Sequence, residues 1–308
     1  MPGFRCLVVS LLFTIVGIAV GLSVYFFAFD KDDPQPTALC GSCHCITGSD
    51  GTCPKTAPKQ PSSIGTSLVD QFSAQVPTNP FNLTCNPYED PTCSTSPSQQ
   101  YSELGESAVC ALLYEQASVE GECPTTYQMI TYPNRSLADS SGATITHVGP
   151  CGVCSTTQDL AAYLRSQDLT TAAKECSKRA FLDELLDETG SDRFGDAVDE
   201  GMDCFINDLG MTESCARIWL HNAWNTGKEC GVPCLAADVA DFQNNGPSPE
   251  CKLNQCLRCD EEESEDIFKR VAGRTRRRSG LLSAIARPCE DLHIVDHVPC
   301  PTNISTVV

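Results

Sequence analysis

The stretch THVGPCGVCSTTQDLAAYL, residues 146–164, changes periodicity in its middle. It opens on the end of a β-branched run, ATITHV (143–148), passes a Gly-Pro pair and a C-x-x-C, and closes on apolar residues at helical spacing, Leu160, Ala161 and Leu164. Ser155, followed three residues later by Gln158, has the form of a capping box and predicts a helix that starts just after Cys154. A strand, a turn and a helix in so short a span predict a mixed architecture.

The flanks agree with that reading. Upstream, SAVCALLYEQ (107–116) and TTYQMITYP (125–133) are short runs of aromatic and β-branched residues bounded by Gly, Pro and Asn. With 143–148 they predict the strands of one small sheet. Downstream the period becomes helical at Phe194, Ala197, Val198, Phe205, Ile206 and Leu209. It is helical again in TESCARIWLHNAWNTG (212–227), where Thr212 is placed to cap the helix and Gly227 to end it. Trp219 and Trp224 at this spacing read as core rather than as a ligand platform. The fold class expected is α+β, a small sheet followed by a helical part.

Residues 6–29, CLVVSLLFTIVGIAVGLSVYFFAF, carry no charge. A helix of that length spans about 36 Å, enough to cross a bilayer core. The apolar run continues through VYFFAF, past the small residues that could mark a cleavage site, so an uncleaved signal-anchor is expected after a short cytosolic tail, 1–5. Twenty of the 21 cysteines follow the span. They are Cys40, Cys43, Cys45, Cys53, Cys85, Cys93, Cys110, Cys123, Cys151, Cys154, Cys176, Cys204, Cys215, Cys230, Cys234, Cys251, Cys256, Cys259, Cys289 and Cys300. An even number at this density predicts a disulfide framework in an oxidising compartment. Three acceptor sequons, at Asn82, Asn134 and Asn303, point the same way. The expectation is a single-pass type II glycoprotein of the secretory pathway or plasma membrane. Its membrane contact is through 6–29, and its C-terminal ectodomain is luminal or extracellular.

Residues 30–100 contain ten of the 20 prolines and lack hydrophobic periodicity. They read as a stalk with small cysteine knots, leaving 101–308 as the cysteine-rich ectodomain. His44 sits among Cys40, Cys43, Cys45 and Cys53, but such crowding suits disulfides better than a zinc site. The net charge of −19 is concentrated in the middle of the chain. Residues 30–150 hold 4 basic and 13 acidic side chains, and residues 151–250 hold 7 and 18. That balance argues against nucleic acid as a partner.

Several constellations could carry chemistry. Cys151 and Cys154 between a strand and a helix resemble a thioredoxin-type redox site, which makes a luminal thiol–disulfide oxidoreductase the alternative to a binding or display role. The spacing of Cys251, Cys256, Cys259 and Cys289 is similar to the cluster ligands of plant-type ferredoxins. However, CKLNQCLRC offers long side chains where a cluster wants small ones. The spacings of Cys151/Cys154 and of Cys204/Cys215 resemble saposin-like domains, which implies a stapled helical lipid-binding fold; Cys176 and the close Cys230/Cys234 pair depart from it. His293 and His297 share a face of a run read as a surface strand. No cofactor and no metal is expected. The motifs of G-x-S-x-G hydrolases, phosphate-binding loops, H-E-x-x-H metalloproteases and EF-hands are absent.

The acidic run at 260–266 precedes Lys269, Arg270, Arg274, Arg276, Arg277 and Arg278. Glu265 and Asp266 lie four residues before Lys269 and Arg270, the favourable helical order, and Gly273 is placed to end that helix. RTRRRSG (274–280) then reads as an exposed loop. Arg274, Arg276, Arg277 and Arg278 form a candidate site for secretory processing. The function expected is binding, adhesion or structural display toward an unknown protein or glycan ligand.

Overall fold

A computed structural model describes residues 66–97, 107–115, 123–166, 168–186, 200–247, 250–288 and 291–299. The architecture is α+β: a small mixed sheet carries helices on both faces. The sheet order is β1 (Val76–Pro77), β3 (Thr126–Tyr132), β2 (Val109–Tyr114), β4 (Thr144–Val148). β2 is central and pairs antiparallel with β3, from Val109 opposite Tyr132 to Tyr114 opposite Tyr127, and with β4. The β2–β4 register shifts between Cys110 and Ala111, so Thr146 is an extra residue between His147 and Ile145.

β2 is an unbroken apolar run because both of its faces are covered. Cys110, Leu112 and Tyr114 join the main core with Tyr127 and Met129. Val109 and Ala111 face a smaller cluster with Ile145, Ala143 and Ala138. The last of these belongs to the short helix α2 (Arg135–Ser140), which Asn134 caps. On the main face lie α1 (Thr66–Ser73) and α3 (Thr157–Arg165), which pack together. Beyond them come α4 (Leu169–Leu186), a π-helical turn at Cys204–Asp208, α5 (Glu213–Glu229), α6 (Gly231–Val239), α7 (Gln255–Glu263) and α8 (Glu265–Ala272).

The three expected strands form. Two boundaries change. Residues 66–97, expected in the stalk, belong to the folded body: Val69, Phe72, Phe81 and Leu83 are buried in the main core. The apolar spacing of α1 is there in TSLVDQFS, but the flanking prolines masked it. α5 starts at the Thr212 cap as expected, yet runs past Gly227 to Glu229. A lone glycine costs a helix only about 1 kcal/mol, and Cys230, bonded to Cys259, fixes the end instead. Trp219 is core: it stacks on Phe205 and meets the edge of Phe268 at 4.9 Å. The periodic residues Phe194, Ala197 and Val198 lie outside the described residues. So do the segment 6–29, the first knot with His44, and Asn303. Among the described residues no helix is long and apolar enough to cross a membrane.

Six disulfides join described residues: 85–93, 110–151, 154–215, 176–204, 230–259 and 234–256. Cys123 and Cys251 are also disulfide-bonded. The last two of the six staple the α5–α6 corner to α7. A framework of this size indicates an oxidising environment.

Gly273 ends α8 as the sequence predicts, with φ 73°. A Cβ there would fall 2.6 Å from Gly152 N and 2.8 Å from Pro150 O. That closeness lets Val153 N and Cys154 N donate to the carbonyls of Val271 and Ala272, at 3.1 and 3.0 Å. Two otherwise orphaned carbonyls of the helix end are thereby satisfied. Gly273→Ala is expected to cost about 2–4 kcal/mol through left-handed strain and overpacking. The check is the guanidinium midpoint with disulfides intact, and a loss below about 0.5 kcal/mol would contradict the packing described.

Candidate functional site

Cys151, Cys154 and the arginines 274–278 meet where β4, the CGVC turn, the start of α3 and the segment after α8 come together. Arg274 lies at the centre with no exposed surface. Its Nε donates to Cys154 O (2.9 Å) and its Nη1 to Thr146 O (3.1 Å) and Ser279 Oγ (3.0 Å). Its Nη2 donates to Thr146 Oγ1 (2.5 Å) and Ser155 O (3.1 Å). All five guanidinium donors are therefore used, on β4, on the CGVC turn and on the arginine segment itself.

The neighbouring arginines play related parts. Arg276 donates to the carbonyls of Tyr163 and Ser166, both at 2.6 Å, and so caps the C-terminus of α3. Arg278 donates to Lys269 O (3.1 Å) and Gly273 O (3.2 Å) at the end of α8. A cation at each helix C-terminus also complements the helix dipole. Arg277 pairs with Glu265 (2.8 Å) and Asp291 (3.3 Å), and Glu265 holds Lys269 as its spacing predicts. The exposed processing loop is thus corrected. Arg274 and Arg276 are buried, and Arg277 and Arg278 are half-buried and bonded. The carbonyls of Arg276, Arg277 and Arg278 accept from Leu281, from Gly280 and His293, and from Val148. Nothing in RTRRRSG marks this burial; its interleaved Thr and Ser look like a solvated loop.

Asp159 and His147 are also fully buried here. Asp159 Oδ2 accepts from Thr156 Oγ1 at 2.6 Å, and Oδ1 accepts from Thr212 N at 2.8 Å and Thr212 Oγ1 at 3.0 Å. One carboxylate thus ties together the N-termini of α3 and α5, where the helix dipoles favour it. Burial pushes it up to about 6, against those hydrogen bonds and the Arg274 charge, which lower it. Thr156, not Ser155, is the cap of α3. Ser155 is occupied elsewhere: its Oγ accepts from Gly152 N (2.7 Å) and lies 2.7 Å from His147 Nε2. His147 Nδ1 lies 2.9 Å from Val148 O and donates to it, so Nε2 accepts from the serine. Burial, then Arg274, holds His147 well below the ordinary histidine value, which keeps the ring neutral.

A hydroxyl on an imidazole whose far nitrogen is fixed by a carbonyl is the bonding order of an activated nucleophile. Here it is closed. Ser155 and His147 are both wholly buried, and the hydroxyl is bonded on both sides. The arrangement locks the CGVC turn onto β4.

The two cysteines of that turn are not partners. Cys151 is bonded to Cys110 on β2, and Cys154 to Cys215 on α5. This corrects the dithiol reading of Cys151 and Cys154: both are wholly buried, and each closes a long loop. The saposin-like pairing falls with it, since Cys204 joins Cys176 and Cys215 joins Cys154. The ferredoxin-like set falls too, because Cys256 and Cys259 are spent on Cys234 and Cys230. Among the described residues no group of His, Cys, Asp and Glu could hold a metal ion. The run 291–299 forms no strand, and His297 is largely buried against Phe72. Asn82 and Asn134 are exposed.

Residues 198–295 match the model of a family of unknown function (DUF8771). The matched span holds α5 to α8 and the arginine segment; the CGVC turn and the sheet lie before it. No curated protein and no solved structure matches the chain.

Arg274→Ala would leave five acceptors without their donor. The expected loss is about 3–5 kcal/mol, the scale of breaking a buried charged network. Arg274→Lys keeps the charge but only part of the fork, so most of that loss should remain. Denaturant midpoints of the two variants check this, and a Lys variant as stable as the parent would contradict it.

Proposed function

We propose that this chain is a membrane-anchored display protein whose disulfide-stapled body engages a protein or glycan ligand in the secretory lumen or outside the cell. Residues 6–29 supply the anchor and the proline-rich segment after them the stalk. The observation that carries this reading is the separate pairing of Cys151 and Cys154. The one motif that suggested turnover is spent on two cross-links between sheet and helices. Ser155, His147 and Arg274 are likewise committed to holding the turn. Among the described residues this leaves the surface for function.

Two surface features support it. On α6, Val232, Leu235 and Val239 are exposed at successive helical turns, with Val232 at 77%. An exposed apolar row of this kind favours a protein ligand. Asn134 caps α2 through Oδ1, which accepts from Leu137 N at 3.0 Å. Its Nδ2, the atom that would carry a glycan, is left clear of that bond. Glycans at Asn82 and Asn134 fit an outward-facing body.

Peptide mapping without reduction tests the reading. It should recover the 110–151 and 154–215 cross-links, and mild reductant near −200 mV should label neither cysteine of the turn selectively. A 151–154 disulfide, selectively opened at that potential, would overturn the scaffold reading in favour of the oxidoreductase.

A further inference from the structure

Residues 291–299 lie along the body as an extended strap. His293 N donates to Arg277 O (3.2 Å), Arg135 Nη2 to Ile294 O (2.9 Å) and Gln75 Nε2 to Pro299 O (2.6 Å). The strap therefore spans the arginine segment, the start of α2 and the residues just after α1. His297 holds its middle. Its Nε2 donates to Ser279 O at 2.8 Å, and its ring meets the edge of Phe72 at 6.5 Å.

The groups around His297 are mostly cationic or able to become so. Arg274 faces it from the segment after α8, and His147 from β4. Arg278 faces His147 in turn. The carboxylates nearby are Asp296, on the strap itself, and Asp159, which faces Arg274 from α3. Asp291 is held by Arg277. The cluster holds two guanidinium charges, two neutral rings and the carboxylates of Asp296 and Asp159. A proton on His297 places a further charge beside the desolvated Arg274 guanidinium, and Ser279 O offers one hydrogen bond in return.

We propose that His297 makes the strap an acid-released latch: protonation of its ring, packed between Phe72, Ser279 and the Arg274–His147 cluster, detaches residues 291–299 from the body while the disulfide framework stays closed. Burial, and then Arg274, holds the seated ring down to about 4, and a released ring returns to the ordinary value near 6.5. The seated state thus binds fewer protons than the released one. Its advantage is complete above pH 6.5 and is lost as pH falls from there toward 4. For His297 alone, the released fraction rises about 30-fold between pH 7.5 and pH 5. Release would uncover Phe72 and the turn at 279–280 in an acidified compartment.

Hydrogen exchange of the intact protein, read on peptides covering 291–299 and corrected for intrinsic rates, tests this at pH 7.5 and pH 5. Opening of the strap should rise about 30-fold while β2 and β3 stay protected. His297→Gln keeps a donor for Ser279 O but cannot titrate, so its opening should be the same at both pH values. A parent protein with no rise, or a Gln variant with the same rise, would overturn the latch. Should the Gln variant fail to fold, NMR titration of ring-labelled histidine in the parent decides: a seated His297 that titrates near 6.5 with its strap still protected would also overturn it.

Discussion

Arg274 and its five hydrogen bonds are the constraint on which the body depends. A wholly buried guanidinium is costly to desolvate, and burial does lower its proton affinity, to about 10. It is tolerated because every donor finds a carbonyl or hydroxyl, and because the Asp159 carboxylate lies close enough to favour the charge. The acceptors come from the bulged residue Thr146, from Cys154 and Ser155, and from Ser279. The carbonyls of Thr146, Cys154 and Ser155 lie at a bulge and a turn, where this one side chain supplies their donors. One cation thus permits an irregular junction to be buried.

The disulfides act on the same junction. Cys110–Cys151 ties the turn to the central strand, and Cys154–Cys215 ties it to α5. They close loops of 41 and 61 residues. In the chain-entropy view each is worth about 4 kcal/mol by restricting the unfolded chain. The adjacent cysteines of a C-x-x-C pull in two directions, and this holds the strand-to-helix turn at a fixed angle. A short motif that elsewhere serves redox exchange here serves as a bracket.

The strands were legible because aromatic and β-branched runs were bounded by turn residues. The helix at 213–229 was legible from its cap and its spacing. α8 and its stop at Gly273 were legible from charge pairs and one glycine. What was not legible depended on long-range pairing. Spacing cannot say that Cys154 finds Cys215 rather than Cys151. Composition cannot say that a row of arginines faces inward, because the acceptors that make this possible are scattered from Thr146 to Ser279. The proline-rich start of the body failed for a related reason: Phe72 and Phe81 are buried by distant parts of the chain, in one core with Leu112, Tyr127 and Leu160.

The arginine segment 274–278 is packed into the body and is not an exposed loop. Limited digestion of the native, oxidised protein with an arginine-specific protease tests it most directly, with cut sites read by mass spectrometry. Cleavage is expected at exposed arginines elsewhere, with no cut within 274–278 until the protein is denatured. Rapid cleavage there in protein that is otherwise folded would contradict it.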